Sequence, residues 1–193
     1  LEGLSDGDKL STWTDGSSNG LVFNASSTAP TFKESGLRSQ PAVSFTGTEA
    51  MLHNGTAGLV GQPSLTTIFV AKSNNASGRR FFKLGATSAR AGEVFVLAQD
   101  ASFRYNNGNK VWSNDGFQGN EPTLAVFQVD LSNGYEDGRY WLNGIEAQST
   151  AESTSSGPAT LPASGFEIIV GTDRQGSGAL HPGFQGDIHE VLV

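Results

Sequence analysis

The chain of 193 residues contains no cysteine, which excludes disulfide bonds and thiolate metal ligands. Charged residues are few, and the 12 Lys and Arg are outnumbered by 19 Asp and Glu. Cations cluster only at Arg79, Arg80 and Lys83, so the basic stripe of a nucleic-acid-binding protein is missing. No apolar run is long enough to cross a bilayer, and we expect no membrane insertion.

Catalytic signatures are also missing. The three histidines, His53, His181 and His189, are dispersed and show neither H-x-H nor H-E-x-x-H spacing. Nothing marks a serine nucleophile with a positioned histidine and an orienting acid. The sequence starts at Leu1 rather than Met, so we expect it to be one domain of a larger protein, and the lack of a secretory signal in it then carries little weight.

Short strand-like runs fill the sequence instead. Twelve Phe, three Trp and three Tyr can build a core, and 25 glycines spread along the chain suit many turns. The length fits one domain over 1–193, and the repeated turn signals predict an all-β sandwich or barrel. The predicted strands are 42–45, 51–53, 65–71, 80–84, 93–99, 102–105, 110–113, 123–131, 139–142, 145–149, 166–170 and 188–193. The tract 149–156 is predicted to be a polar loop.

The segment 138–147 is the clearest of these signals. It contains an Asn143-Gly144 dipeptide between two strands, and this pair favours a type I′ turn because both central residues need positive φ. Alternate residues of a strand point to opposite sides of the sheet. Tyr140 is therefore predicted to face the core and Trp141 to face outward.

The same parity assigns faces in two other strands. In 123–131, Phe127 is predicted to face the core and Gln128 to face outward. In the strand that ends at residue 170, Glu167 and Ile169 are predicted to lie outside.

A second hairpin is predicted around the Asn107-Gly108 dipeptide. A turn there would set Phe103 opposite Trp112 and leave Arg104 on the outer face. We expect the strands of Arg104 and Trp141 to lie in one sheet.

Several segments resemble one domain family. Residues 13–20 (WTDGSSNG), 41–49 (PAVSFTGTE), 66–72 (TTIFVAK), 138–147 (GRYWLNGIEA) and 183–193 (GFQGDIHEVLV) resemble motifs of concanavalin A-like, laminin-G-like (LamG) domains of bacterial exported proteins. The resemblance implies an antiparallel two-sheet β-sandwich with jelly-roll topology. The chain departs from the family pattern where Thr46, Glu49 and His189 replace the usual Asp.

The resemblance also implies that the two ends of the chain are neighbours, which raises the hypothesis of a lectin-like calcium site. Calcium prefers six to eight oxygen ligands. The candidate carboxylates are Asp15, Glu49, Asp187 and Glu190. The alternative is that they are ordinary solvated acids and one hydrogen-bonded structural glutamate.

A carbohydrate site is the leading functional hypothesis. Sugar rings need an aromatic face and planar polar groups for their hydroxyls, and an outward Trp141 is the best platform. The alternative is that a loop covers Trp141 on the outer face. The candidate ligand-binding residues are Trp141, Arg104, Gln128, Asn114, Asp115, Asp173 and Arg174. The net charge of −7 favours a neutral glycan over an anionic polymer.

We therefore predict a non-catalytic, carbohydrate-binding module of an extracellular or cell-surface bacterial protein. One alternative is a structural or adhesive spacer that contacts another protein. A further alternative is a polysaccharide-cleaving domain, although the E-x-D-x-x-E strand of related glucanases is missing from the sequence.

Overall fold

The protein is described by a computed structural model. The structure describes residues 3–15, 20–55, 58–59, 62, 64–74, 80–86, 93–96, 100–105, 108–113, 121–130, 138–148, 151–153, 166–172, 179–180 and 183–192. For residues 86, 93–96, 100–105, 108–113, 151–153 and 166, only the backbone is described. These parts form strands, turns and bends, and no helix in them is suited to crossing a membrane.

Sixteen strands follow one another in the described ranges. They are β1 (Thr12–Thr14), β2 (Val22–Ala25), β3 (Thr31–Leu37), β4 (Gln40–Thr46), β5 (Met51–Asn54), β6 (Ser64–Ser73), β7 (Phe82–Ala86), β8 (Glu93–Val96), β9 (Asp100–Tyr105), β10 (Gly108–Ser113), β11 (Thr123–Asp130), β12 (Arg139–Leu142), β13 (Ile145–Glu146), β14 (Ala151–Ser153), β15 (Phe166–Val170) and β16 (Gln185–Leu192).

The strands form an antiparallel β-sandwich, which confirms the predicted fold class. A seven-stranded sheet has the order β13-β12-β11-β6-β16-β4-β3, and a five-stranded sheet has the order β1-β2-β5-β15-β7. A four-stranded sheet, β14-β10-β9-β8, lies next to the five-stranded sheet where β8 approaches β7.

Aromatic side chains from both main sheets meet in the core. The Phe69 ring on β6 packs edge-on against Phe81 and Phe82, with centroids 4.9 and 5.0 Å away. On the other side of the core, Leu84 and Ile168 are completely buried. Edge-to-face packing adds to the free energy that burial of such large rings provides. Since Phe82 lies in the five-stranded sheet, these contacts hold the two sheets together.

Three details of the strand pattern differ from the predictions, and the first is the register of the second hairpin. The second hairpin pairs Tyr105 with Gly108 and Phe103 with Lys110, so the predicted pairing of Phe103 with Trp112 is wrong by two residues. Asn-Asn and Asn-Gly are both good turn formers, and the sequence contains both in succession. A register shift of two residues keeps each residue on the same side of its strand, so the predicted faces of this hairpin do not change.

The tract predicted to be a polar loop contains β14, which pairs with β10 at the edge of the four-stranded sheet. An edge strand pairs on one side only, so it needs no apolar alternation. Strands β1, β2 and β3 were also missing from the prediction, since short sequences such as TFKESGL on β3 lack a regular alternation.

Candidate functional site

The candidate site lies on the outward side of the seven-stranded sheet, which we call the outer face. On β11, buried Phe127 alternates with exposed Gln128, as strand parity predicts. On β12, Tyr140 is fully buried, while Trp141 lies opposite Val126 on the outer face and is half-buried. The predicted orientations of Tyr140 and Trp141 are therefore confirmed.

The turn between β12 and β13 fixes the position of Trp141. Asn143 and Gly144 have φ values of 51° and 84°, as a type I′ turn requires. Asn143 also holds the end of β11, because its side-chain Oδ1 accepts a hydrogen bond of 3.0 Å from the backbone N–H of Leu124. The register between β11 and β12 is thereby locked.

An apolar row crosses four strands of the outer face. Leu192 lies opposite Ile68, Ile68 opposite Val126, and Val126 opposite Trp141. Leu192 is 47% exposed, and the row ends at the exposed Glu146 on β13, opposite Trp141. Across neighbouring strands these side chains lie about 5 Å apart.

A polar row lies directly beside it. Gln128 has Thr66 opposite on one side and Arg139 opposite on the other, and all three are exposed. Gln128 and Arg139 are each one row from Trp141, a separation of about 7–8 Å in such sheets. The outer face thus offers an apolar platform with amide and guanidinium donors at its side.

Arg104 lies elsewhere. Its strand, β9, belongs to the four-stranded sheet, so the prediction that Arg104 and Trp141 share a sheet is wrong. Strand parity assigns a face but cannot assign a strand to a sheet, which depends on long-range pairing. The side chain of Arg104 lies outside the described residues. So do the loop candidates, which are Asn114, Asp115, Asp173 and Arg174.

The structure gives each of the four candidate calcium ligands different surroundings. Asp15 Oδ1 accepts a hydrogen bond of 2.7 Å from the backbone N–H of Leu21, and Asp187 Oδ1 lies 2.9 Å from Lys33 Nζ. Glu190 is exposed on β16. In the described part of the chain, no three histidine or acidic side chains come together in a group that could hold a metal.

The fourth candidate, Glu49, serves the turn between β4 and β5. Glu49 is only 3% exposed. Its carboxylate accepts four hydrogen bonds of 2.7–3.1 Å, from the Thr46 N–H, the Thr46 hydroxyl, and the N–H groups of Gly47 and Thr48. Burial raises the pKa of Glu49, but the hydrogen bonds from Thr46 and the loop backbone outweigh it, so the pKa lies below 4.5. This is the structural glutamate of the alternative hypothesis.

Sequence reasoning missed a buried ion pair on the five-stranded sheet. Lys83 Nζ on β7 lies 3.1 Å from Glu167 Oε1 on β15, and the two side chains are 1% and 0% exposed. Ile169, on the same side of β15, is also fully buried. The prediction that Glu167 and Ile169 lie outside is therefore wrong, because this side of β15 is covered. The one sequence signal for the ion pair was that Lys83 and Glu167 each stand between apolar neighbours in their strand.

Comparison with known proteins gives a fold but no family. No protein-family model matches the chain, and no curated protein matches it either. Among solved structures, it resembles domain 4 of AbnA, a GH43 extracellular arabinanase from Geobacillus stearothermophilus, in complex with arabinotriose. The TM-score is 0.60 at 13% identity, over 97% of this chain and 92% of that domain.

A mutant of Trypanosoma rangeli sialidase that displays trans-sialidase activity is also similar. Its TM-score is 0.51 at 10% identity, over 97% of this chain and 29% of the sialidase. The chain therefore spans less than a third of that enzyme. At such low identities, both likenesses establish the β-sandwich alone.

Proposed function

We propose that the chain is a carbohydrate-binding module of a larger extracellular or cell-surface protein, and that it binds glycans on its outer face. The observation that supports this is the half-buried Trp141 with exposed Gln128 and Arg139 one row away. The indole ring would stack on the apolar face of a sugar, and the amide and guanidinium groups would donate hydrogen bonds to its hydroxyls.

The comparisons support the choice of ligand class. A domain with the same fold over nearly its whole length was solved in complex with arabinotriose. With a net charge of −7, the chain repels polymers that carry an anion on every unit. We therefore place a neutral sugar over Trp141.

Binding of arabinotriose, arabinan and a panel of other neutral glycans, measured by calorimetry and affinity electrophoresis, tests this proposal. Trp141→Ala should weaken the binding of whichever glycan binds by at least about tenfold, as loss of a stacked aromatic hot spot does. Val22→Ala is the control, because Val22 is an exposed apolar residue on β2 of the other main sheet. Equal binding by both variants would show that the site is elsewhere.

A protein partner is the second candidate function, and the exposed apolar surface favours it. On the outer face, Leu124 is 40% exposed and Leu192 is 47% exposed. If no glycan binds and a surface protein binds instead in a Leu124-dependent way, the chain is an adhesive spacer. If a glycan is cleaved and its reducing ends accumulate, the chain is an enzyme.

Calcium binding stays a separate proposal. Asp187 is paired with Lys33, Glu49 is saturated by its own loop, and Glu190 lies on the other main sheet from Asp15, so a site would need Asp15 with further oxygens from elsewhere. Titration of the metal-free protein with Ca²⁺ by calorimetry decides this, and Asp15→Asn should abolish any heat that comes from this site.

A further inference from the structure

A second polar row crosses the outer face at the other end of β6. Thr31 on β3 lies opposite Ser44 on β4, Ser44 lies opposite Asp187 on β16, and Asp187 lies opposite Lys72 on β6. Neighbouring strands are about 4.8 Å apart, so these four side chains form a continuous line about 15 Å long. We call it the lysine row, because three lysines converge on it.

Each lysine reaches the row in a different way. Lys9 Nζ donates a hydrogen bond of 2.9 Å to Thr31 Oγ1 at one end, and Lys33 Nζ lies 2.9 Å from Asp187 Oδ1 in the middle. Lys72 stands at the other end. These are three of the five lysines in a chain whose net charge is −7. Three of the 12 Lys and Arg residues of the chain therefore lie on this one row.

The charge of the row is not neutralised from within. Asp187 is its only carboxylate, and its side chain is 6% exposed and already accepts the bond from Lys33. Lys33 keeps 40% of its side chain exposed, and the ammonium group of Lys72 makes no hydrogen bond or ion pair among the described residues. Three cations and one anion leave the row with a formal charge of +2.

The neighbouring carboxylates lower the positive potential of the row, but among the described residues they make no ion pair with its lysines. Asp6 and Asp8 accept hydrogen bonds from backbone N–H groups. Glu190 lies one row further along β16, opposite Val70, and within the described residues it makes no ion pair with Lys72. An incoming anion would therefore meet exposed ammonium groups and the hydroxyls of the row.

We propose that the lysine row binds a carboxylate or sulfate group carried by the glycan, with Lys33 and Lys72 as its cationic ligands and with the hydroxyl of Ser44, on the strand next to Asp187, as a donor. Asp187 is a positioning residue, because its buried carboxylate holds the Lys33 ammonium over the row. This deepens the proposed function and rests on it, since the acidic group is taken to be part of the same glycan.

The geometry of the outer face relates the two sites. Lys72 lies four residues along β6 from Ile68, whose row contains Trp141 two strands away. The two sites are thus about 13 Å apart along the strands and about 10 Å across them, which is about 16 Å in all. One oligosaccharide can cover this distance. Because the whole chain is acidic, we infer a largely neutral glycan with sparse acidic groups.

Glucuronoxylan, a neutral xylan with sparse uronates, and the same polymer after reduction of its carboxyl groups form the test pair. We expect wild-type protein to bind the acidic form about fivefold more tightly at low salt, as for one partly exposed charge pair. Salt at 0.5 M should remove most of the difference. Lys72→Gln should abolish the preference and leave binding of the reduced polymer unchanged.

Arg38→Gln is the matched control, since Arg38 is an exposed cation in the β3–β4 turn outside the row. It should keep the preference. The proposal is overturned if wild-type protein binds both polymers equally, or if Lys72→Gln keeps the preference. Unchanged thermal melting of each variant excludes unfolding as the cause.

A third measurement separates this proposal from the proposed function. If wild-type protein binds neither polymer, glycan binding through Trp141 fails for this pair, and the row is then probed with free glucuronate and free sulfate. Shifts of the backbone amide signals of Ser44, Asp187 and Lys72 that saturate with either anion, and that vanish in Lys72→Gln, would support the row. No shift would overturn it.

Discussion

Tyr140 stacks on Phe127 inside the sandwich, with ring centroids 4.4 Å apart and planes inclined by 29°. Directly behind this pair, on the outer face, Val126 lies opposite Trp141. One pair of strands thus presents an aromatic residue to the core and, one position later, another to the surface. The two neighbouring residues should therefore differ sharply in their effects on stability and on binding.

Replacement of Tyr140 by Ala should lower the free energy of unfolding by about 3–5 kcal/mol, since it removes a fully buried ring from the core. Trp141→Ala should cost much less, because Trp141 is only half-buried. Urea denaturation of both variants measures the difference. The reverse order of stabilities would mean that the register of β12 is wrong.

Local signals in the sequence were sufficient to predict the hairpin of β12 and β13. Asn143 and Gly144 specify their own backbone conformation, and alternation fixes the faces of the strands beside them. The bounds of β12 and β15 were also predicted correctly, because both strands are short apolar runs between turn signals. Polar edge strands such as β14 lack that signal.

Long-range pairing could not be predicted. Lys33 meets Asp187 across 154 positions of sequence, and Lys83 meets Glu167 across 84. Parity can place each of these residues on one side of its strand, but the order of strands in a sheet decides which charges become neighbours. The lysine row is therefore visible only in the folded chain.

The stability of the protein should depend on the ionisation of Glu49. Its folded-state pKa is lowered, so the stabilisation is complete above the ordinary value of 4.5 and is lost as the pH falls through the folded pKa. Glu49→Gln should be less stable than wild type by about 1–3 kcal/mol at pH 7, and the difference should shrink below pH 4.5. Thermal melts from pH 2.5 to 7 measure both curves.

Thr46→Val serves as the control for this effect, because it removes only the hydroxyl donor to Glu49 Oε1. It should move the acid transition upward while leaving a carboxylate that still titrates. A Glu49→Gln difference that stays constant over the whole pH range would contradict the assignment.

Gly171 is required where β15 ends. Its φ of +93° lies in the left-handed region, and a Cβ there would overlap the ring of Phe45 and lie 3.2 Å from the carbonyl oxygen of Glu49. Gly171→Ala should therefore cost about 3 kcal/mol or more. Gly144→Ala has a similar φ of +84° but open space around the Cβ, so it should show the backbone cost alone, about 1 kcal/mol. Equal losses in chemical denaturation would disprove the steric contribution.

The buried pair of Lys83 and Glu167 should show strong coupling in a double-mutant cycle. Either Lys83→Met or Glu167→Leu alone removes one member of the ion pair and leaves the other charge buried without it. Each single substitution should therefore lower the free energy of unfolding by about 3–5 kcal/mol. The double variant should lose much less than the sum of the two. Additive losses in urea denaturation would show that the two charges do not depend on each other.

Thr67 offers a substitution that should stabilise the protein. The residue is fully buried on the core side of β6, opposite Phe127, and its hydroxyl has no hydrogen-bond partner among the described residues. A buried hydroxyl without a partner has lost its hydration and gained nothing in return. Valine keeps the branched shape and removes the polar atom, so Thr67→Val should raise the free energy of unfolding by about 1 kcal/mol.

Thr66→Val is the matched control, since Thr66 is the preceding residue on the exposed side of the same strand and should change stability little. If Thr67→Val instead destabilises the protein relative to Thr66→Val, the hydroxyl makes a bond that the core needs.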